Sequence, residues 1–272
     1  MTFTRWLVLP VVAFALAGCG GGGDPRGQVV GAAGKTLALP WVRYELTFDT
    51  PQLFGSSVAL EGGRGAFNVK DRLAYGFLDV QKQQSGAQTL WFDVTPTAFL
   101  VDPEPAPAGA LPAGKVWISV DLSAEDGVAQ QAEGLAPELP LDEIAWGARA
   151  VTHVGSSVVG NVPMDEFRVT VDLTKALLAA TKAGRASIAA AIDSELRAAG
   201  SSSVQLSVWV NGPGFVGRID EPIPGARLGT VSLVFTSFTR PYTGTLPPSA
   251  QIVPLASLSP GDRSVWAVAT GS

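Results

Sequence analysis

The feature that most constrains this chain is an alternation of apolar and polar residues that recurs along most of its length. In the segment 41–50, for example, every second residue is apolar: Val42, Tyr44, Leu46 and Phe48. The same period recurs in four other segments: Lys115–Leu122, Asp165–Asp172, Val204–Asn211 and Leu228–Phe238. Successive side chains of a strand point to opposite faces, so this pattern predicts half-buried β-strands.

Six further segments carry a weaker form of the alternation: Ser56–Asn68, Arg72–Val80, Gln88–Thr95, Thr97–Asp102, Val151–Val159 and Phe215–Glu221. Together the patterns predict about eleven strands. Turn residues such as Gly160-Asn161 and Asn211-Gly212 connect several of them. Such short connections favour antiparallel pairing. We therefore predict an α+β fold built on one antiparallel sheet.

Helical segments are few. Leu141–Arg149 follows Pro140 and predicts a short helix, and Leu173–Ala199 predicts a longer helical stretch that is broken at Gly184. Roughly 95 strand residues would then present one broad apolar face, while about 35 helical residues are available to cover it. A sheet of that width must curl or close to hide its apolar face.

Two outcomes are compatible with this shortage of helix. Either the curled sheet collapses into a filled core, or an apolar ligand occupies the gap, and the residue pattern alone does not distinguish them. The alternation assigns eleven side chains to the inward face: Tyr44, Leu46, Phe48, Ile118, Val120, Phe167, Val169, Leu206, Val208, Leu233 and Phe235. These residues would contact an apolar ligand if one occupies the gap.

The N-terminal segment has the pattern of an export signal. Arg5 supplies one positive charge, and the 13 residues of Trp6–Gly18 carry no charge. This apolar run is too short to cross a bilayer. It ends in Leu16-Ala17-Gly18-Cys19, which resembles the lipobox of bacterial lipoproteins. An ordinary signal peptide with an incidental cysteine is the alternative.

The lipobox resemblance implies cleavage before Cys19 and acylation of its sulfur, with chains such as palmitate. Two acyl chains would anchor the protein stably at the extracytoplasmic face of the cell membrane. Four parts are expected: a signal peptide at 1–18, the lipidated Cys19 with a flexible Gly-rich tether at 19–36, one domain at 37–258, and a flexible tail at 259–272.

Several functional classes are disfavoured by composition. The chain has one Cys and one His, which argues against disulfide frameworks and Cys/His metal sites, and we expect no metal and no cofactor. A net charge of −5 without a Lys/Arg cluster argues against nucleic-acid binding. Acidic pairs such as Asp142-Glu143 and Asp220-Glu221 do not form an acid/base couple by themselves, because strand neighbours point to opposite faces, and they are predicted to be solvated turn charges.

Several motifs, taken in their order along the chain, resemble one known group of proteins. They are Leu111–Trp117 with the strand ending Val120-Asp121-Leu122, then Val162-Pro163 with Phe167–Leu173 before the helix, then Val208–Gly212, and Val231–Phe238. Together with Cys19 they are similar to the LolA-like superfamily, in particular the actinobacterial lipid-carrier lipoproteins of the LppX/LprG group. The resemblance implies a strongly curved, half-open barrel with helices on its concave face, and an apolar cavity for acyl chains.

The function that the resemblance implies is binding of acylated lipid or glycolipid for transfer or presentation, without catalysis. An envelope transporter is a further candidate partner. Two alternatives remain open. One is an anchored, non-carrier module that binds another envelope protein, and the other is an envelope hydrolase that uses His153 with a nearby serine and acid. No G-x-S-x-G motif accompanies any serine, which disfavours the hydrolase.

Overall fold

The computed structural model describes residues 23–54, 58–70, 73–82, 86–95, 97–102, 111–121, 136–222, 229–238 and 246–259. The predicted signal segment, Cys19 and nearly all of the predicted tail lie outside these ranges. The predictions made for them therefore remain predictions.

One sheet of twelve strands dominates the described residues. Its strands are β1 (Val42–Phe54), β2 (Val58–Asn68), β3 (Leu73–Lys82), β4 (Gly86–Val94), β5 (Ala98–Asp102), β6 (Trp117–Asp121), β7 (Ala148–Val159), β8 (Val162–Asp172), β9 (Ser203–Asn211), β10 (Val216–Pro222), β11 (Thr230–Ser237) and β12 (Ile252–Pro254). Their order is β12-β6-β5-β4-β3-β2-β1-β11-β10-β9-β8-β7, with β12 and β7 at the two edges. Strand neighbours pair antiparallel except β12, which runs parallel to β6. The predicted open antiparallel sheet is confirmed.

All eleven predicted strands are present, and the twelfth was not predicted. β12 has three residues and lies between two short 3-10 turns, Ser249–Gln251 and Leu255–Ser257. A strand of three residues shows too little alternation to be recognised. The turn predicted at Gly160-Asn161 joins β7 to β8, and both of its residues have positive φ, at 54° and 70°. Glycine and asparagine are the residues that adopt this conformation most readily.

Among the residues that the structure describes, four helices accompany the sheet: α1 (Pro25–Leu37), α2 (Leu139–Gly147), α3 (Leu173–Lys182) and α4 (Ala186–Ala199). The break predicted at Gly184 separates α3 from α4, and Gly184 has a φ of +68°. Asp172 caps α3 by accepting a hydrogen bond of 3.0 Å from the Lys175 amide. Among the described residues, none of the helices combines the length and apolar character that a membrane span requires.

The prediction of a flexible tether at 19–36 is wrong for its second half, because Pro25 begins helix α1. The Asp24 side chain accepts a hydrogen bond from the Arg26 amide, and proline suits the first position of a helix. The helix then buries an apolar stripe against α2 and β7 that includes Val29 and Ala33. Burial of this stripe outweighs the low helix propensity of the three glycines in α1.

Helix α1 is also fixed to the sheet by hydrogen bonds. The Arg26 guanidinium donates to the carbonyl of Ala148 at 2.7 Å. The buried Thr36 hydroxyl accepts from the amide of Val216 at 3.0 Å, and it donates to the carbonyl of Ala32. The amide at the start of β10 is thereby satisfied by a side chain, and α1 belongs to the folded domain.

Candidate functional site

The inner face of the sheet carries one apolar row that crosses eight strands. Paired residues of β8, β9, β10, β11, β1, β2, β3 and β4 form it in this order: Phe167, Val208, Ile219, Leu233, Leu46, Gly63, Leu78 and Leu90. The row is apolar throughout because each strand presents every second residue to this face. This is the broad apolar surface that the alternation predicts.

The residues predicted to face inward do so. Nine of them are buried in one continuous core: Tyr44, Ile118, Val120, Phe167, Val169, Leu206, Val208, Leu233 and Phe235. Leu46 and Phe48 are half-buried. The inward direction of these side chains is therefore observed, while their role in binding a lipid remains a prediction.

One half of this inner face is covered by helices. Helices α1, α2 and α3 pack against β7, β8, β9 and β10. The sheet residues beneath them are aliphatic and fully covered, as at Val169 and Val208. Ala176 and Ala180 of α3 are also fully buried, and their small side chains allow the helix to approach the sheet closely. In this half, helix and sheet form a filled core.

The other half, β1 to β6, is lined by aromatic rings. Tyr44 lies 6.1 Å from Phe67 between ring centroids, and Phe67 lies 6.2 Å from Phe235. Phe92 stacks on Phe99 with centroids 5.8 Å apart. Rings of this size cover sheet area that the helices do not reach, and such pairs add favourable edge and stacking contacts.

Two glycines create the space for Tyr44. Gly65 and Gly76 are its successive neighbours across β2 and β3. A Cβ at Gly65 would lie 3.0 Å from the Tyr44 hydroxyl and in conflict with the carbonyl oxygen of Tyr75. The absence of side chains at both positions lets the phenol ring lie flat over the sheet. Burial raises the pKa of Tyr44 far above its usual range, so the hydroxyl stays protonated.

The aromatic half remains partly open at one end. Leu46, Phe48 and Leu78 lie on the inner face there, and all three are half-buried. Leu46 and Leu78 belong to the apolar row and Phe48 lies two residues beyond Leu46 on β1, whereas the members of the row on β8 to β11 are buried. An apolar surface that begins in the core and ends in contact with solvent is suited to receive an elongated apolar ligand.

Three carboxylates meet where the two halves join. Glu143 of α2, Glu195 of α4 and Glu221 of β10 bring one oxygen each to within 4.8 Å of one another. Glu221 stands in an otherwise apolar row, since it pairs with Val231, which in turn pairs with Phe48. Glu143 has no exposed surface. The prediction that Glu143 and Glu221 are solvated turn charges is therefore wrong.

The environment of the three acids favours their neutral form. Burial raises the pKa of Glu221 to about 8, and the neighbouring Glu195 carboxylate adds to the rise. Burial raises the pKa of Glu143 well above its usual value, and Glu221 and Glu195 raise it further. Burial also raises the pKa of Glu195. Removal from water, which disfavours the charged form of a carboxyl, is the cause common to all three.

The acidic neighbours of these residues have different surroundings. Asp220 points away from the inner face and pairs with Arg218 at 2.7 Å, as expected for adjacent strand residues. Asp142 is buried beside Arg185, with the two side chains 3.2 Å apart. Burial raises the pKa of Asp142 to about 6, although the Arg185 charge opposes this rise.

His153 lies on the β7–β8 hairpin beside a serine and an acid, but the order of contacts differs from that of a hydrolase. The Ser156 hydroxyl donates to Asp165 at 2.6 Å, and His153 Nε2 lies 3.7 Å from the same oxygen. A catalytic serine instead donates to the histidine, which the acid then orients. His153 and Asp165 are also half-exposed. This geometry gives no support to the hydrolase alternative.

A separate open groove of about 960 Å³ lies on the outer face of β1 to β4. Its floor is the paired row Glu45, Arg64, Phe77 and Trp91. The Arg64 guanidinium stacks on Phe77 at 4.4 Å, and Phe77 lies 5.4 Å from Trp91, of which 52% is exposed. This face alternates charges with aromatic rings, whereas the inner face is apolar.

The topology and the inner face define an α+β protein with an open twelve-stranded sheet and helices along one side of its apolar surface. Solved structures similar to this chain include the lipoprotein LppX of Mycobacterium tuberculosis, with 14% identity, 81% of this chain and 99% of that chain covered, and a TM-score of 0.49. Another is LprF of Mycobacterium bovis, with 13% identity, coverage of 81% and 97%, and a TM-score of 0.49. A third is an uncharacterized conserved protein of Thermus thermophilus, with 9% identity, coverage of 85% and 99%, and a TM-score of 0.38. No protein-family model and no curated protein matches the sequence.

Proposed function

We propose that this chain is a membrane-anchored extracytoplasmic lipoprotein that binds the acyl chain of a lipid or glycolipid and transfers or presents it. The observation that carries this proposal is the partial exposure of the inner apolar face at Leu46, Phe48 and Leu78. The helices that cover the rest of the inner face pack on β7 to β10. An acyl chain laid on the open end would complete the coverage.

Binding of this kind needs no covalent step, and we propose no catalytic role. Each methylene removed from water contributes about 0.8 kcal/mol, so a chain of moderate length gains useful affinity. This contribution has no direction. Selectivity would come from the shape left between the aromatic rings and from the few polar groups at the opening.

The proposed anchor would hold this surface close to the membrane. Cys19 is the predicted acylation site and Pro25 begins α1, so five residues separate them. A fully extended link of that length spans at most about 20 Å. The folded domain would therefore remain at the membrane surface, where a lipid can be taken up or delivered over a short distance.

The test is uptake of a fluorescent fatty acid by the full chain carrying Cys19→Ala, which removes the proposed acylation site. Leu46→Asp and Phe48→Asp, combined, should weaken uptake at least about tenfold, because each places a charge on the apolar opening. Leu178→Asp is the matched control, since Leu178 is 70% exposed on α3. Equal uptake by all three proteins would contradict the proposal.

The alternative of a non-carrier module has its own supporting observation. The β7–β8 hairpin exposes three valines, Val154, Val158 and Val162, with 69% of Val158 accessible. Exposed apolar residues beside an edge strand suit contact with another envelope protein. If this is the function, Val154→Lys with Val158→Lys should abolish binding of that partner while lipid uptake is absent from every variant.

A further inference from the structure

The meeting of three carboxylates on the inner face calls for a physical explanation that acyl binding does not supply. Glu143 and Glu195 are brought together by α2 and α4, and Glu221 enters from β10. These residues are 52 and 26 positions apart in the chain, so the fold alone assembles them. Each is a glutamate whose side chain reaches inward from a different element.

A second observation points to a ligand. Within the described part of the chain, no other type of residue donates a hydrogen bond to either carboxylate oxygen of Glu143, although the residue has no exposed surface; its hydrogen bond with Glu195 requires the two carboxyls to share a proton. One oxygen of Glu195 is likewise buried and unpartnered. Leaving a buried polar group unpaired is costly, and leaving a buried charge unpaired is more so. The Glu143 side chain is thus aimed at a position where a partner is needed.

We propose that Glu143, Glu195 and Glu221 form a binding site for a hard divalent cation of the calcium class. The donor set consists only of carboxylate oxygens, which such cations prefer. The spacing also fits: calcium–oxygen distances of about 2.4 Å place two opposite ligands about 4.8 Å apart. The three oxygens lie within 4.8 Å of one another.

The surroundings provide both neutralisation and access. A cation of charge +2 offsets most of the charge of three ionised carboxylates, so the acids can stay ionised in a buried position. Glu221 is half-buried and pairs with Val231 next to Phe48, so the site reaches solvent at the open end of the aromatic half. Water or a lipid headgroup would supply the remaining ligands. The cation site does not depend on the proposed acyl binding.

The expectation of no metal rested on the scarcity of cysteine and histidine and did not consider carboxylates. The competing explanation for the cluster is that the three acids share protons and bind no cation. These explanations differ in what calcium does to stability. A ligand that binds only the folded state raises its melting temperature in a saturable way.

The experiment measures the Tm of the full-length protein in EDTA and across a CaCl2 titration, with MnCl2 and MgCl2 in parallel and calorimetric titration for stoichiometry. We expect one calcium ion per chain. The Tm should rise by about 5–10 °C when calcium reaches 100 times its Kd. The combined variant Glu143→Gln with Glu195→Gln should lose this rise, and its Tm in EDTA should equal or exceed that of the wild type. Asp193→Asn, which alters an exposed carboxylate of α4 paired with Arg197, should keep the rise.

If the double variant does not fold, Glu221→Gln alone, at the half-buried ligand, should reduce calcium affinity at least tenfold. A Tm that is unchanged by calcium and manganese up to about 10 mM, above the range typical of extracellular calcium modules, would overturn the proposal in favour of shared protons. An equal rise in wild type and in the glutamine variants would also overturn it, because the cation would then bind elsewhere. Loss of fatty-acid uptake with calcium binding intact would contradict the proposed function alone.

Discussion

The two halves of the inner face cover their apolar surface in different ways. Strands β7 to β10 carry mainly aliphatic side chains beneath helices, together with the buried ring of Phe167, and this half is closed. Strands β1 to β6 carry aromatic rings, and Leu46, Phe48 and Leu78 remain half-buried at one end. The comparison teaches that, within the described residues, the helices pack on one side of the sheet and aromatic rings line the other side. In the aromatic half, an apolar ligand would bury the apolar surface that remains exposed.

Glycines contribute to the same division. On the inner face, Gly65 of β2 pairs with Tyr44 and Gly76, and Gly63 of β2 pairs with Leu46 and Leu78, so large side chains occupy the adjacent strands. The helix-covered half instead has valine and isoleucine at paired positions, such as Val208 and Ile219. In one half, aromatic rings packed over glycines cover the inner face of the sheet. In the other half, branched aliphatic side chains packed under helices fill the same layer.

The largest expected effect is the difference in unfolding free energy lost when a ring is removed from the helix-covered half and from the aromatic half. Phe167→Ala removes a fully buried ring beneath the helices and should lower the free energy of unfolding by about 3–5 kcal/mol. Phe48→Ala removes a half-buried ring and should cost less than about 1.5 kcal/mol, since part of that ring is already in water. Urea denaturation of both variants measures the difference. Equal costs would mean that Phe48 belongs to the core and that the aromatic half is closed.

A smaller effect tests the packing of rings over glycines. Gly65→Ala should lower the free energy of unfolding by about 1–3 kcal/mol, because its Cβ would overlap the Tyr75 carbonyl and crowd Tyr44. The control is Gly31→Ala in α1, where nothing lies within 4 Å of the new Cβ. That change should stabilise the protein by up to about 1 kcal/mol, because alanine favours helix. If Gly65→Ala is neutral, the close approach of β2 and β3 does not constrain this half.

The smallest expected effect concerns the outer side of the aromatic half. Asp93 is buried on β4, and burial raises its pKa from an ordinary 3.8 to about 6. The folded state therefore disfavours the ionised form, and stability from this residue falls as the pH rises from about 4 to 6. Asp93→Asn should increase the free energy of unfolding at pH 7.5 and change it little at pH 4.

The control for this prediction is Glu45→Gln, which alters an exposed carboxylate of β1. It should change the free energy of unfolding by less than about 0.5 kcal/mol at either pH. Chemical denaturation at the two pH values provides the measurement. A gain from Asp93→Asn that is equal at pH 4 and pH 7.5 would exclude ionisation of Asp93 as its cause.

The strands were predictable from the sequence because their signal is local. Alternation at positions such as Tyr44, Leu46 and Phe48 reports one buried face directly, and Gly184 marks the helix break. Helix α1 was not predictable in this way. Its glycines lower local helix propensity, and only packing of Val29 and Ala33 against distant elements stabilises it.

The acidic cluster could also not be predicted from local sequence patterns. Glu143 and Glu221 each follow an aspartate, a pattern typical of solvated turns, and no spacing connects them to Glu195. The contact depends on how α2 and α4 are placed over the sheet. Alternation nevertheless correctly assigned Asp220 and its neighbour Glu221 to opposite faces.

The most direct test of the account is extraction and mass spectrometry of lipid from the Cys19→Ala chain purified without added lipid. The account predicts an acyl-chain lipid at close to one per protein, depleted in the Leu46→Asp, Phe48→Asp variant and retained in Leu178→Asp. Absence of any bound lipid, together with no uptake of a fluorescent fatty acid, would contradict the central claim that the open end of the aromatic half receives an acyl chain.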